Sequence, residues 1–132
     1  MRVVLDTNIL VSAVLWHDSV SRKLVSKLLE NNARIFTSEE ILEEFYRILK
    51  RDFEPSNQEL AHYTQQVLNF TQHANPTQKL SIVTQDPDDN KILECALAAN
   101  AHYIVTYDKQ ILALERYQGT RIITPEQALR ML

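Results

Sequence analysis

Arg2-Val3-Val4-Leu5-Asp6 and Tyr103-Ile104-Val105-Thr106-Tyr107-Asp108 are two short apolar runs, rich in β-branched residues, that each close on an aspartate. Similar runs occur at Arg34–Phe36, Lys79–Val83 and Arg121–Ile123, with helical patterns between them. Short strands alternating with helices are the pattern of a parallel sheet covered by helices, so the residues predict an α/β domain with five parallel strands and helices on both faces. Several helix starts are marked. Thr37 and Glu40 read as a capping box ahead of Ile41, Phe45, Ile48 and Leu49, and Ser56 and Glu59 as another ahead of Leu60, Tyr63, Val67 and Phe70. Asp86-Pro87 opens a helix through Asn100, with Asp86 as N-cap, and Thr124-Pro125 opens the last helix. The long connection from Arg51 to Gln78 reads as a helical excursion, so residues 1–132 are expected to form one domain.

Composition narrows the function. The 132 residues carry 14 Lys+Arg against 17 Asp+Glu, a net charge of −3, with 45% hydrophobic and 23% charged residues, the balance of a globular chain. The single glycine, Gly119, excludes both the Gly-rich phosphate loop and the dinucleotide fingerprint. The single cysteine, Cys95, excludes an internal disulfide and a multi-Cys zinc site, and His17, His62, His73 and His102 lack H-x-x-x-H spacing, so oxygen must hold any metal. No stretch approaches the roughly 18 apolar residues of a membrane span. Asp6 interrupts the N-terminal apolar run too early for a signal peptide, and a cytoplasmic location is expected. The mild acidity argues against binding nucleic acid by bulk charge but leaves room for a metal-dependent nucleic-acid enzyme.

In an open parallel sheet, ligands bind beyond the carboxyl ends of the strands, and acidic residues stand there in this chain. Asp6 directly follows Val3-Val4-Leu5, and Asp108 follows Ile104-Val105-Thr106 by one residue; each is also placed to cap the next helix. Asp89 falls in the middle of the apolar arc of Ile92, Leu93 and Ala96, where a carboxylate needs a cationic or metal partner. Among the glutamates that follow Ser38, Glu40 and Glu43 lie nearly opposite the arc of Ile41, Phe45, Ile48 and Leu49, while Glu39 and Glu44 border it. Glu39 suits the first turn through the helix dipole; Glu44 lacks that reason and is the functional candidate. Four converging carboxylates repel one another, by roughly 3 kcal/mol for a pair about 5 Å apart, and suit a hard cation such as Mg²⁺ or Mn²⁺. Such a site permits phosphodiester hydrolysis without a protein nucleophile.

Val3-Val4-Leu5-Asp6-Thr7-Asn8, Thr37-Ser38-Glu39-Glu40-Ile41-Leu42-Glu43-Glu44-Phe45, Asp86-Pro87-Asp88-Asp89-Asn90-Lys91 and Ile104-Val105-Thr106-Tyr107-Asp108, in this order, resemble the motifs of the PIN-domain ribonucleases, and most closely the bacterial PIN-family toxins of toxin–antitoxin systems. The resemblance covers nearly the whole chain. It implies a five-stranded parallel sheet, Mg²⁺ or Mn²⁺ as cofactor, RNA as substrate, a homodimer and an inhibitory antitoxin partner. It places the family's four acids on Asp6, Glu44, Asp89 and Asp108, with Asn8 and Thr106 in support and Asp86 or, alternatively, Asp88 as a further supporting acid. Tyr107 departs from the small or basic residue common at that position, and its ring is of a size to stack on a base or narrow access. RNA phosphates also need cations, and Arg47, Lys91 and Lys109 are nearest in sequence to the acids. A phosphatase of the haloacid-dehalogenase type would require a second Asp where Asn8 stands, and a phosphoacceptor receiver domain usually carries an acidic doublet after the first strand. A domain of the same fold kept only to bind a partner would not need all four acids.

Overall fold

The computed structural model describes residues 1–83 and 89–132. In chain order the elements are β1 (Arg2–Leu5), α1 (Thr7–Leu15), α2 (Val20–Glu30), β2 (Arg34–Thr37), α3 (Glu39–Phe53), α4 (Asn57–Phe70), β3 (Thr71–His73), α5 (Asn90–Ala99), β4 (Tyr103–Val105), α6 (Lys109–Leu112), β5 (Arg116–Tyr117), β6 (Thr120–Ile123) and α7 (Pro125–Met131). The sheet runs β3-β2-β1-β4-β6-β5, parallel throughout except for the two-residue edge strand β5. Successive strand residues point to opposite faces, yet Val3, Val4 and Leu5 are all buried, as are Ile104 and Val105 and then Ile122 and Ile123. Both faces of the central strands are therefore covered. One cover is α5, which packs across β1, β2 and β4.

The connectivity creates a crevice. From β1 the chain builds outward to β2 and β3 on one side, then returns to lay β4 and β6 on the other. The order reverses between β1 and β4, and the carboxyl ends of two such strands are where an open α/β sheet binds ligands. The Asp6 N–H donates to Val105 O at 3.0 Å and the Thr106 N–H to Ile123 O at 3.0 Å, so pairing continues to the lip of this crevice.

Two caps follow their sequence signals. Ser56 and Glu59 exchange reciprocal bonds at the start of α4, and Thr124 and Gln127 do so around Pro125 at the start of α7. The Thr37–Glu40 box does not form. Thr37 is the last residue of β2, and Ser38 caps α3 instead, its Oγ accepting from the Ile41 N–H at 3.3 Å, so the third helical position is Ile41 and no reciprocal bond can return. The start read at Asp86-Pro87 lies outside the described residues; α5 itself ends at Ala99 with Asn100 as its left-handed cap.

The strand expected at Lys79–Val83 is a correction: its described backbone is irregular, and the third parallel strand is Thr71–His73. Side chains of α5 occupy the backbone groups that a ladder would use. Glu94 Oε2 accepts from the Leu80 N–H at 2.8 Å, Asn90 Oδ1 accepts from the Ile82 and Val83 N–H groups at 2.9 Å each, and Asn90 Nδ2 donates to Val83 O at 2.9 Å. With those groups satisfied, the segment needs no strand partner. Among the described residues, no helix is long and apolar enough to cross a membrane.

Candidate active site

Asp6 sits between β1 and α1, at 8% exposure, with both carboxylate oxygens engaged. Oδ1 accepts from the Thr7 N–H at 2.7 Å, and Oδ2 from the Thr106 hydroxyl at 2.5 Å. Burial pushes its pKa above the ordinary 3.8, the two hydrogen bonds oppose that rise, and the negative charges of Glu44 and Asp108 add to it. Those two carboxylates are thus close enough to be felt at Asp6. Thr106, fully buried at the end of β4, joins the two strand ends: its Oγ1 gives its proton to Asp6 and accepts the Asp108 N–H at 2.9 Å.

Asp108 is the N-cap of α6, its Oδ1 accepting from the Gln110 N–H at 2.8 Å and the Ile111 N–H at 3.1 Å. Both aspartates therefore cap helices, and both also face the crevice; the two readings of these residues are compatible. Glu44 projects from the middle of α3, and its Oε2 lies 3.0 Å from Lys91 Nζ of α5. Asp89 immediately precedes α5, and its side chain makes no capping bond to that helix.

A cleft of about 520 Å³ is lined by Asp6, Asn8, Glu44, Arg47, Ile48, Arg51, Asp89 and Asp108. It gathers the four acids singled out in the sequence, together with Asn8 from the first turn of α1 and Arg47 from α3. Lys91 pairs with Glu44 but, like Lys109, which is exposed on α6, is not among the lining residues, and Asp86 and Asp88 lie outside the described residues. Arg51 and Ile48 are lining residues that the sequence reading missed. The signal was available: Arg51 is four residues beyond Arg47 and so lies on the same helix face. Glu40 is a second miss. It is half-buried rather than turned to solvent, and its Oε2 is buried with no hydrogen-bond partner among the described residues, because α3 is covered by α1 on one side and α5 on another.

Among the described residues, no three His, Cys, Asp or Glu side chains are gathered closely enough to hold a metal ion between them. The donor chemistry of the cleft nevertheless fits a hard cation and no other kind, since its potential ligands are carboxylate and amide oxygens with no thiol or imidazole.

No curated protein matches the chain. Among solved structures, VapBC2 from Rickettsia felis, crystallised bound to a DNA fragment from their promoter, superposes with a TM-score of 0.69 at 19% identity, over 94% of this chain and 98% of that one. PAE2754 from Pyrobaculum aerophilum superposes with a TM-score of 0.63 at 15% identity, over 98% of this chain and 88% of that one. These likenesses establish a shared fold. The PIN domain family model matches residues 2–110, a span that includes both strand-end aspartates, Glu44 and Asp89, and the chain belongs to the PIN-domain family.

Proposed function

We propose that this chain is a metal-dependent ribonuclease that hydrolyses RNA phosphodiester bonds, and that it is the toxin component of a toxin–antitoxin pair. The observation that carries the reading is one cleft, at the β1/β4 switch point, lined by Asp6, Glu44, Asp89 and Asp108 from four separate parts of the chain. Asp6, Glu44, Asp89 and Asp108 are the residues that would draw in and hold Mg²⁺ or Mn²⁺, which when bound would supply an activated water at neutral pH and polarise the phosphodiester. The chain's own groups do the rest. Thr106 fixes the Asp6 carboxylate and the Asp108 backbone against each other, and Asn8 offers an uncharged polar group on the first turn of α1. Arg47 and Arg51 line the cleft on successive turns of α3 and can meet phosphate oxygens. The family match and the fold shared with VapBC2 support a protein antitoxin as partner, and a homodimer is the assembled form that the family resemblance implies.

The test is cleavage of single-stranded and structured RNA by the pure protein in Mg²⁺, Mn²⁺ or excess EDTA, with Asp6→Asn alongside. Cleavage that needs the cation and is lost in Asp6→Asn, with the fold retained by circular dichroism, is expected. Undiminished cleavage in EDTA, or turnover of small phosphomonoesters without cleavage of RNA, refutes the reading.

A further inference from the structure

Tyr107 is the residue that neither the fold nor the carboxylate site accounts for. Its side chain follows Thr106, which holds Asp6, and precedes Asp108, which lines the cleft. Consecutive Cα atoms are about 3.8 Å apart, so the ring begins one residue from the cleft wall. It is 51% exposed. The exposed rings Trp16 and Phe53 pack edge to face, with centroids 5.7 Å apart; among the described residues, no other ring meets Tyr107.

The ring is nonetheless held. Its hydroxyl donates to Glu126 Oε2 at 2.6 Å, in the first turn of α7. A tether at the far end of the ring removes rotamer freedom while about half of the residue stays open to solvent. This is the requirement for a stacking surface, because a base that lands on a pre-ordered ring need not immobilise it. A purely structural residue would instead turn a face to the core, as the fully buried Phe45 does.

We infer that Tyr107 is a stacking platform for one nucleobase of an RNA strand whose adjoining phosphate lies in the Asp6–Asp108 cleft, an inference that rests on the ribonuclease reading. A flat ring accepts any base, so Tyr107 favours an unpaired nucleotide at one position over a paired one and reads its sequence weakly. Glu126 is a positioning residue, acting through the ring.

The test uses the Asp6→Asn chain, which binds without cutting, and fluorescence anisotropy of a labelled single-stranded RNA and of copies with one abasic nucleotide stepped along it. Adding Tyr107→Ala is expected to weaken binding of the intact RNA by roughly 5- to 150-fold, the loss of one base–aromatic stack. Adding Tyr107→Phe, which keeps the ring and drops the tether, costs only a few-fold. One abasic position weakens binding to the Tyr107 protein and leaves binding to the Tyr107→Ala protein unchanged. Equal affinities with and without Tyr107→Ala, or an abasic penalty that persists in Tyr107→Ala at every position, overturn the inference and leave the ring as a surface for a protein partner. Cleavage of the RNA by the Asp6→Asn chain overturns the proposed catalytic site instead, so the two failures are distinguishable.

Discussion

Lys91 and Glu44 tie α5 to α3 beside the cleft, and cutting that tie tests how the cleft balances its charges. The two groups lie 3.0 Å apart, at 10% and 22% side-chain exposure. At an effective dielectric of ~20 their attraction is roughly 5–6 kcal/mol before desolvation is subtracted. Removing one partner of a fully buried pair costs about 3–5 kcal/mol. Glu44 keeps some contact with water, so Lys91→Met, which retains the apolar stem and removes the ammonium, is expected to cost about 2–3 kcal/mol. Lys91 also interacts outside this pair, so the single variant overstates the pair itself. Urea unfolding of Lys91→Met, Glu44→Gln and the double variant isolates it, with an expected coupling of about 1–2 kcal/mol. Losses that add to within about 0.3–0.5 kcal/mol would refute the pair as a tie between the helices. Calorimetric titration gives a second readout. If Glu44 is a cation ligand, Lys91→Met both frees its carboxylate and removes a like charge, and Mn²⁺ binding should tighten about tenfold or more. Unchanged or weaker Mn²⁺ affinity would remove Glu44 from the ligand set.

Burial raises the Asp6 pKa above 3.8, so between pH 3.8 and the raised value the folded chain holds more protons than the unfolded one. Its contribution to stability therefore falls as pH rises through that window, is fully unfavourable above it and vanishes below 3.8; metal-free unfolding curves should show Asp6→Asn gaining on the parent as pH rises from about 4 to 7, and a pH-independent difference contradicts this. Asn90→Leu strands the Ile82 and Val83 N–H groups and the Val83 carbonyl; it should cost about 2–4 kcal/mol by urea unfolding, with faster hydrogen exchange at those two amides. Glu54 caps α3 at φ 44° and ψ 54°, a left-handed conformation costly for a side-chain-bearing residue, so Glu54→Gly should stabilise the chain by up to about 1 kcal/mol in thermal unfolding, and a lower melting temperature rejects the strain.

What could be read in advance follows from how local each signal is. The strands β1, β2, β4 and β6 are short β-branched runs buried on both faces, and Ser56–Glu59 and Thr124–Gln127 are caps completed within four residues, so neighbouring side chains alone announce them. Lys79–Val83 has the composition of a strand. Its conformation is decided by Asn90 and Glu94, seven to fourteen residues away on α5, and no local pattern carries that information. Thr37 and Ser38 are both competent caps, and the choice fell to the strand: β2 extends through Thr37, which leaves Ser38 as the first residue free to turn into α3. In the site, strand-end position singled out Asp6 and Asp108, and helical phase separated Glu44 from its neighbours. The same phase argument misplaced Glu40, because it assumed one buried face on a helix that is packed on two sides.

The hydrogen bonds around the acids explain how the chain tolerates them and why they stand apart. Asp6 is oriented by a backbone N–H and a hydroxyl, and Asp108 by two N–H groups of α6; these dipoles fix the carboxylates without neutralising them. Of Asp6, Glu44 and Asp108, Glu44 alone forms an ion pair among the described residues, with Lys91. Arg51, although it lines the same cleft, is bonded to Asp52 at 2.7 and 2.9 Å. Lys91 offsets part of the charge of Glu44, and the repulsion that Glu44 and Asp108 exert on Asp6 still adds to the rise caused by its burial. A chain selected for stability alone could replace Asp6 with Asn, whose amide still accepts from the Thr7 N–H and escapes both the burial penalty and the repulsion. Keeping a carboxyl where an amide would fit is what the cation site proposed above would require, at a cost in the folded chain's own stability.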